Sequence, residues 1–316
     1  MKAIDWITQV LEMAAALAAA PVFLGWVNQC RAWLQNRRAP SLWLPYRNLH
    51  KLFHKEAVIA QNASPLFRIA PYVVFGAMVL AAGIIPSMGT RLPLVVSADA
   101  IALVGLFAAA RVFMTLAAMD VGTAFGTLGA RREMMVGFLA EPALLMVIFV
   151  ASLISSSTAL PVITEHLVSG HLGLSPSLAF SAVAFILVLL AENARIPVDN
   201  PATHLELTMI HEAMVLEYSA RHLALMEWAA QLKLFNYVCI GFALFVPWGV
   251  VAGHVGPVGL LVAIPSLAVK LAAAGAALAL IETVSAKMRV MRIPEFLGTA
   301  FLFAVLGLLV HVLLGT

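Results

Sequence analysis

Apolar runs of about 20 residues recur along the whole chain, separated by short polar stretches. Coiled into a helix, a run of this length spans the hydrocarbon core of a bilayer. The pattern therefore predicts an all-α polytopic membrane protein, with 1–316 as a single integral membrane domain of about eight transmembrane helices plus cytoplasmic amphipathic helices. The predicted spans are Trp6–Val27, Ile69–Met88, Leu94–Ala118, Met134–Ser155, Ser177–Ala191, Leu234–Ala252, Val258–Ile281 and Glu295–Leu314.

Composition agrees with this class, because 62% of the residues are hydrophobic and only 11% are charged. The mean hydropathy of +0.98 excludes an ordinary soluble domain. The two cysteines, Cys30 and Cys239, lie far apart and form no C-x-x-C pair. They cannot supply the four thiolates of an iron–sulfur cluster, so we expect no such cofactor in this chain.

Lys and Arg are distributed very unevenly between alternate connections. Fifteen of the 19 basic residues fall in four connecting segments, at 31–68, 131–132, 195–233 and 287–292, whereas the other side carries Lys2 and Arg91. By the positive-inside rule, the basic side is cytoplasmic and both termini are periplasmic. The net charge of +3 then reflects topology, and we expect the lipid bilayer and no nucleic acid as a partner.

The basic cytoplasmic loop 28–68 contains an amphipathic pattern. After Pro45, apolar residues recur at i, i+3, i+6 and i+7, while basic and polar residues fill the other face. Two interpretations stay open: a brace that lies on the membrane, and a basic surface that docks a soluble partner. The predicted docking residues are Arg37, Arg38, Arg47, Lys51 and Lys55, together with Arg195 from the next segment.

The acidic cytoplasmic segment 192–233 is the most unusual part of the sequence. Residues 191–219 contain five of the 16 carboxylates: Glu192, Asp199, Glu206, Glu212 and Glu217. Pro201 suits the first position of a helix, which we predict to run through Tyr218. Residues eleven apart differ by only about 20° on a helix, so Glu206 and Glu217 would share a face. We expect no metal site, because the H-E-x-x-H pattern that starts at His211 lacks its second histidine.

Several ionisable residues fall inside the predicted spans, where a charge is costly unless it faces the bundle interior or water. Such groups often mark proton routes, and we assign this role to Glu141, Glu192, Asp199, Glu206 and Glu217. Asp99 and Arg111 in the third span could each pair with a neighbour. Glu12 lies near an end of the first span, where it could reach the membrane surface. Lys270 and Glu282 lie in the seventh.

These residues carry a family resemblance. The run A-E-N-A-R-I-P-V-D-N-P-A-T-H-L-E-L, followed by E-Y-S, resembles the signature of a membrane-subunit family of respiratory complex I. Members of that family join the proton-pumping arm to the redox arm. The matching residues are Glu192, Arg195, Pro197, Asp199, Pro201, Glu206, Glu217, Tyr218 and Ser219. Arg132, Glu141 and the basic loop after the first span also correspond, so the resemblance covers essentially the whole chain.

Two departures narrow the resemblance. Ala202 and His204 stand where the family has acids, and three extra residues precede E-Y-S. The variant is similar to the membrane components of formate hydrogenlyase and hydrogenase-4 complexes, in which a nickel–iron hydrogenase replaces the quinone site. The resemblance implies a non-catalytic subunit of an oxidoreductase complex in the bacterial inner membrane. It places the nickel–iron centre and iron–sulfur clusters on partners: the hydrogenase large and small subunits and an iron–sulfur subunit, beside antiporter-like membrane subunits.

Three alternatives stay open. The chain could be the quinone-linked subunit of complex I, although the changes at Ala202 and His204 count against this. It could be an independent secondary transporter, which would often show inverted repeats that the sequence lacks. It could also anchor the hydrogenase arm without carrying protons. The predicted function is therefore anchoring of the hydrogenase arm together with coupling of electron transfer to proton translocation.

Overall fold

A computed structural model of the chain describes residues 2–90, 93–94, 99–169, 175–199, 209–251 and 257–314. The chain folds into a helical bundle. In order, the helices are α1 (Lys2–Leu34), α2 (Leu44–Phe53), α3 (Pro65–Ile84), α4 (Ala100–Asp120), α5 (Ala124–Ser155), α6 (Leu160–Ser169), α7 (Pro176–Glu192), α8 (His211–Val215), α9 (Ala220–Phe245), α10 (Pro257–Val284) and α11 (Ile293–Leu314).

Local sequence explains where several helices begin. Proline occupies the first turn of α2, α3 and α7, where its missing N–H leaves no bond unmade. The Ser64 and Thr123 hydroxyls cap α3 and α5 by accepting hydrogen bonds from Leu66 N and Gly126 N. These caps satisfy backbone donors that the helix itself leaves unpaired.

The predicted architecture of about eight spans agrees with the structure. Among the described residues, seven helices are long and apolar enough to cross a membrane, and α7 is a shorter apolar helix of 17 residues. The predicted boundaries were wrong at several places. Arg131 and Arg132 lie inside α5, and Lys233 lies inside α9, because both helices start well before their apolar runs. Asp99 precedes α4 instead of lying within it.

The helices pack in a continuous array. From one edge to the other, α10 packs on α1, α1 on α9, α9 on α3, α3 on α4, and α4 on α5, while α7 and α11 pack on α5 and on each other. The short helix α2 lies across α1 and α9. Helices α4, α5, α7 and α9 therefore surround the interior of the bundle, where the polar residues discussed below meet.

Hydrogen bonds join four connecting segments at one end of the bundle. Ser64 N donates to Asp120 Oδ2 at 2.8 Å, and Val58 N donates to Ser219 Oγ at 2.9 Å. Met288 N donates to the Pro197 carbonyl at 2.9 Å. These bonds connect the segments that follow α1, α4, α7 and α10. We call this the basic end.

The structure differs from the sequence in the helix predicted to begin near Pro201. Residues 200–208, including Glu206, lie outside the described part. Beyond them, helix α8 covers only His211–Val215, so the prediction that the helix runs through Tyr218 was wrong. Tertiary contacts explain the break, because the Tyr218 ring stacks on Phe67 and its hydroxyl donates to the Phe67 carbonyl at 3.0 Å. No continuous helix therefore connects Glu206 with Glu217, so the prediction that these two acids share a helix face loses its basis.

Candidate functional site: a buried charge cluster

The Arg111 guanidinium on α4 lies at the centre of a group of carboxylates. Its Nη1 is 2.5 Å from Glu141 Oε1, its Nε is 3.4 Å from Glu133 Oε1, and its Nη2 forms an ion pair with Glu192. The Arg111 side chain is only 6% exposed. A buried arginine of this kind requires several acceptors, because its five N–H donors are directed in a fixed planar fork.

A second cation completes the group. Lys233 Nζ on α9 is 3.0 Å from Glu192 Oε2, and the Glu192 side chain is 1% exposed. The Tyr237 hydroxyl also bonds to Glu192, while the Tyr237 ring stacks on Phe107. We call Arg111, Glu133, Glu141, Glu192 and Lys233 the charge cluster. Its residues come from four helices.

Gly137 allows Arg111 to lie across α5. A Cβ added at this glycine would overlap the Arg111 guanidinium, closer than real atoms approach. Glu133, Gly137 and Glu141 follow one another at four-residue spacing and so share one face of α5. The arginine therefore crosses the helix over the glycine, between the two glutamates.

A cavity of about 30 Å³ lies on the basic-end side of the charge cluster. Arg111, Glu133, Lys233 and the α8 residue His211 contribute polar groups to its lining. The other lining residues are apolar, and beside the four polar groups the cavity has room for one or two waters. Burial lowers the pKa of the His211 imidazole, which favours its neutral form at neutral pH. We call this the cluster cavity.

Asp199 connects the acidic segment to α8. Its Oδ2 accepts a hydrogen bond from His211 N at 3.2 Å, and its Oδ1 is 3.3 Å from Lys287 Nζ. Asp199 is 3% exposed. Because His211 lines the cluster cavity, Asp199 is one hydrogen bond away from it, while Glu192 is bonded to Arg111 on the lining.

A separate group of charges fixes the turn that follows α7. Glu282 on α10 lies 3.1 Å from Arg195 Nη1 and 3.4 Å from Arg31 Nη1. Arg195 is 9% exposed, so its guanidinium binds within the chain and offers little to a docking partner. We therefore leave Arg195 out of the docking surface and treat it as a residue that positions the acidic segment.

The predicted site residues fall into three groups. Glu141, Glu192 and Asp199 lie in or beside the charge cluster. Glu206 is outside the described residues, and Glu217 is exposed at the surface, away from the cluster. The remaining docking residues, Arg37, Arg38, Arg47, Lys51 and Lys55, are all exposed at the basic end. The docking and proton-pathway roles stay predictions.

Sequence reasoning missed Glu133 and counted Lys233 only as a basic loop residue. Both fall next to polar neighbours, so hydropathy assigned them to connections. The four-residue spacing of Glu133, Gly137 and Glu141 was the signal that could have identified Glu133. Lys233 carries no comparable local signal, because its partner Glu192 is distant in sequence.

Comparison with known proteins decides the family. A family model described as NADH dehydrogenase matches residues 7–313. The chain belongs to this family. Formate hydrogenlyase subunit 4 of Escherichia coli (strain K12) is 32% identical over 298 residues, which cover 94% of this chain and 96% of that protein. Hydrogenase-4 component C of the same organism is 35% identical over 234 residues, 74% of this chain and 73% of that protein.

A solved structure supports the fold independently. The chain is similar to a chain of the membrane-bound sulfane sulfur reductase, an archaeal respiratory membrane complex, with a TM-score of 0.80. The match covers 96% of this chain and 98% of that one, at 17% sequence identity. The resemblance to complex I-like membrane proteins that the signature indicated is thereby confirmed.

Proposed function

We propose that this protein is the membrane subunit of a complex I-like hydrogenase of the formate hydrogenlyase or hydrogenase-4 type. It anchors the hydrogenase arm and helps couple electron transfer to proton translocation. Its two relatives are named as parts of such hydrogenase systems. The observation that carries the coupling role is the charge cluster, a set of ionisable groups buried between membrane-spanning helices.

The composition of the charge cluster favours proton exchange. Three carboxylates and two cations give a formal charge of −1 when all are ionised. An uncompensated charge inside a membrane bundle is costly, and one bound proton removes it. The cluster can therefore alternate between a protonated neutral state and an unprotonated state, and a change in a neighbouring subunit could shift this balance.

The arrangement of the polar groups gives the proton a direction of travel. Asp199 and His211 lie towards the basic end, the cluster cavity offers room for water, and Arg111 connects Glu133 with Glu192 and Glu141. The Glu141 side chain is 34% exposed, the most accessible carboxylate of the cluster. We assign Glu141 as the group that faces an antiporter-like membrane subunit.

Docking of the soluble arm belongs to the basic end, which we orient towards the cytoplasm of a bacterial inner membrane. Arg37, Arg38, Arg47, Lys51 and Lys55 would contact the hydrogenase large and small subunits and the iron–sulfur subunit. The nickel–iron centre and iron–sulfur clusters would reside on those partners and supply the redox chemistry. This chain would hold those partners at the membrane, and the effect of their redox chemistry would reach it at Asp199.

Glu141→Gln is the direct test of coupling. Glutamine keeps the shape of the side chain but cannot carry a proton, and Arg111 retains Glu133 and Glu192 as partners. In membrane vesicles that contain the intact complex, redox-driven proton movement should fall by about 100-fold or more, which is the contribution of a positioned proton-transfer group. Hydrogenase activity with an artificial electron carrier should be unchanged, because the metal chemistry lies on other chains.

Glu165→Gln on α6 is the matched control, since this acid lies outside the charge cluster, and it should behave as the natural protein. Normal proton movement in Glu141→Gln would leave the purely structural anchor as the function. Identification of the chains that co-purify in mild detergent separates the hydrogenase assembly from a quinone-linked one. Quinone-reductase modules in place of hydrogenase subunits would contradict the proposal.

A further inference from the structure

A second polar pocket lies at the end of the bundle opposite to the basic end. Two non-helical segments, 85–90 and 246–251, pair there: Val251 N donates to the Met88 carbonyl at 2.9 Å, and Thr90 N donates to the Val251 carbonyl at 3.2 Å. Lys270 Nζ donates to the Val246 carbonyl at 2.7 Å from the middle of the 28-residue helix α10. Irregular backbone at membrane depth is tolerated where it is buried in protein or lines a water-filled cavity.

Glu12 on α1 is buried against the first of these segments. It is 5% exposed, and its Oε1 accepts hydrogen bonds from Ser87 Oγ at 2.5 Å and from Met88 N at 2.8 Å. Among the described side chains, no Lys or Arg forms an ion pair with Glu12. The sequence suggested that Glu12 could reach the membrane surface, but the structure encloses it.

Lys270 faces the same pocket from α10. A cavity of about 10 Å³ is lined by polar groups of Ser87, Cys239, Ser266 and Lys270, and it is close to the smallest space that holds one water. The buried Cys239 thiol interacts electrostatically with both Glu12 and Lys270. Ser87, which donates to Glu12, lines the same cavity as Lys270 and so connects the two groups. We call Glu12, Ser87, Cys239, Ser266 and Lys270 the opposite-end pocket.

Helix α9 connects the two polar regions. Lys233 in the charge cluster, Asn236, and Cys239 in the opposite-end pocket follow at three-residue intervals, about 4.5 Å apart along the helix axis. Asn236 is 1% exposed, and its Nδ2 donates to the carbonyl of Met78, a residue that also lines the cluster cavity. The Asn236 Oδ1 has no hydrogen-bond partner in the described structure.

We propose that Glu12 and Lys270 form a second proton-exchange site, which opens the interior of this chain to the side of the membrane opposite to the basic end. The step moves one proton between a water in the pocket and the Glu12 carboxylate, with no electron transfer and no other bond changed. A hydrated Na⁺ does not fit in a cavity of about 10 Å³, so the ligand is a proton. The inference rests on the proposed function for the source of the driving force.

Glu12→Gln tests the site. The measurement uses membrane vesicles that contain the intact complex and in which the opposite end of the bundle faces the lumen. Redox-driven proton movement should fall by about 100-fold and should lose its dependence on lumen pH. Hydrogenase activity with an artificial carrier should stay unchanged. Cys239 on α9 interacts electrostatically with Glu12, and Lys270 on α10 lines the same cavity as Ser87. Lys270→Met is therefore measured as a second variant and should also impair proton movement.

Glu165→Gln is again the control and should leave proton movement normal. Should Glu12→Gln fail to assemble, Ser87→Ala keeps the carboxylate and removes one bond to it. This variant should shift the midpoint of the lumen-pH dependence, and an unchanged midpoint would overturn the site.

The two glutamate variants together separate this inference from the proposed function. If proton movement is normal in Glu12→Gln but blocked in Glu141→Gln, this inference alone is overturned. If proton movement is instead lost in Glu12→Gln but normal in Glu141→Gln, the charge cluster has no part in the proposed function. Movement of Na⁺ in place of protons would overturn the choice of ligand.

Discussion

At the scale of single residues, the position of Arg111 depends on a glycine. Gly137 leaves the space through which Arg111 reaches Glu133 and Glu141 on the same face of α5. Buried ion pairs of this kind do not of themselves guarantee stability, because both partners lose their hydration. Breaking the contact is nevertheless costly, since a charge left unpaired in the bundle has no water to compensate it.

Gly137→Ala should therefore destabilise the subunit by about 1–3 kcal/mol, the usual cost of overpacking a filled interior. Gly105→Ala on α4 is the matched control, because nothing lies within 4 Å of a Cβ at that position. Alanine is the better helix former, so the control should be neutral or slightly stabilising. The measurement is the thermal midpoint of the intact complex in detergent. Equal midpoints for the two variants would show that Arg111 adjusts without cost.

At the scale of helices, the apolar runs predicted the bundle well because eight spans need only length and hydropathy. The ends of the helices were less predictable. Lys233 and Glu133 were assigned outside the spans, since a single sequence does not reveal that a charge will find a distant partner such as Glu192 or Arg111. Tyr218 and Ser219 ended α8 for the same kind of reason, through contacts with Phe67 and Val58 that local propensity does not contain.

The amphipathic helix α2 gives a prediction about docking. Pro45 and Leu49 are buried against the bundle, whereas Arg47 and Lys51 are exposed. Reversing Arg47 and Lys51 to Glu should release the soluble hydrogenase arm at lower salt than the natural protein, since attraction between exposed charges is screened by ions. The measurement is co-purification of the hydrogenase subunits across a salt series.

Reversal of Arg289 and Arg292 to Glu is the matched control for α2. These two arginines are also exposed at the basic end, and the change in formal charge is the same. The control should retain the soluble arm, because the proposed seat is the surface of the loop after α1. Release of the arm by the control alone would move the docking surface to the connection between α10 and α11.

At the scale of the whole molecule, the two ends of the bundle differ in chemistry. The basic end carries most of the Lys and Arg residues and the acidic segment, whereas the opposite end encloses Glu12 and has the half-buried Lys270 on an apolar helix. A protein that exchanges protons in stages needs this kind of asymmetry, because each side of the membrane must reach a different titratable group. The charge cluster lies between the two ends.

Orientation in the membrane is the prediction that connects these features. Positive residues are retained on the cytoplasmic side during insertion, so the basic end should face the cytoplasm. Reporter fusions after Arg38 and after Arg289 should be active in the cytoplasm, and fusions after Ser156 and at the C-terminus should be active in the periplasm. The hydrogen bonds between 58 and 219 and between 197 and 288 place the first two sites at the same end, so they must agree with each other. A cytoplasmic C-terminus would reverse the assignment of the opposite-end pocket and place Glu12 on the side of the soluble arm.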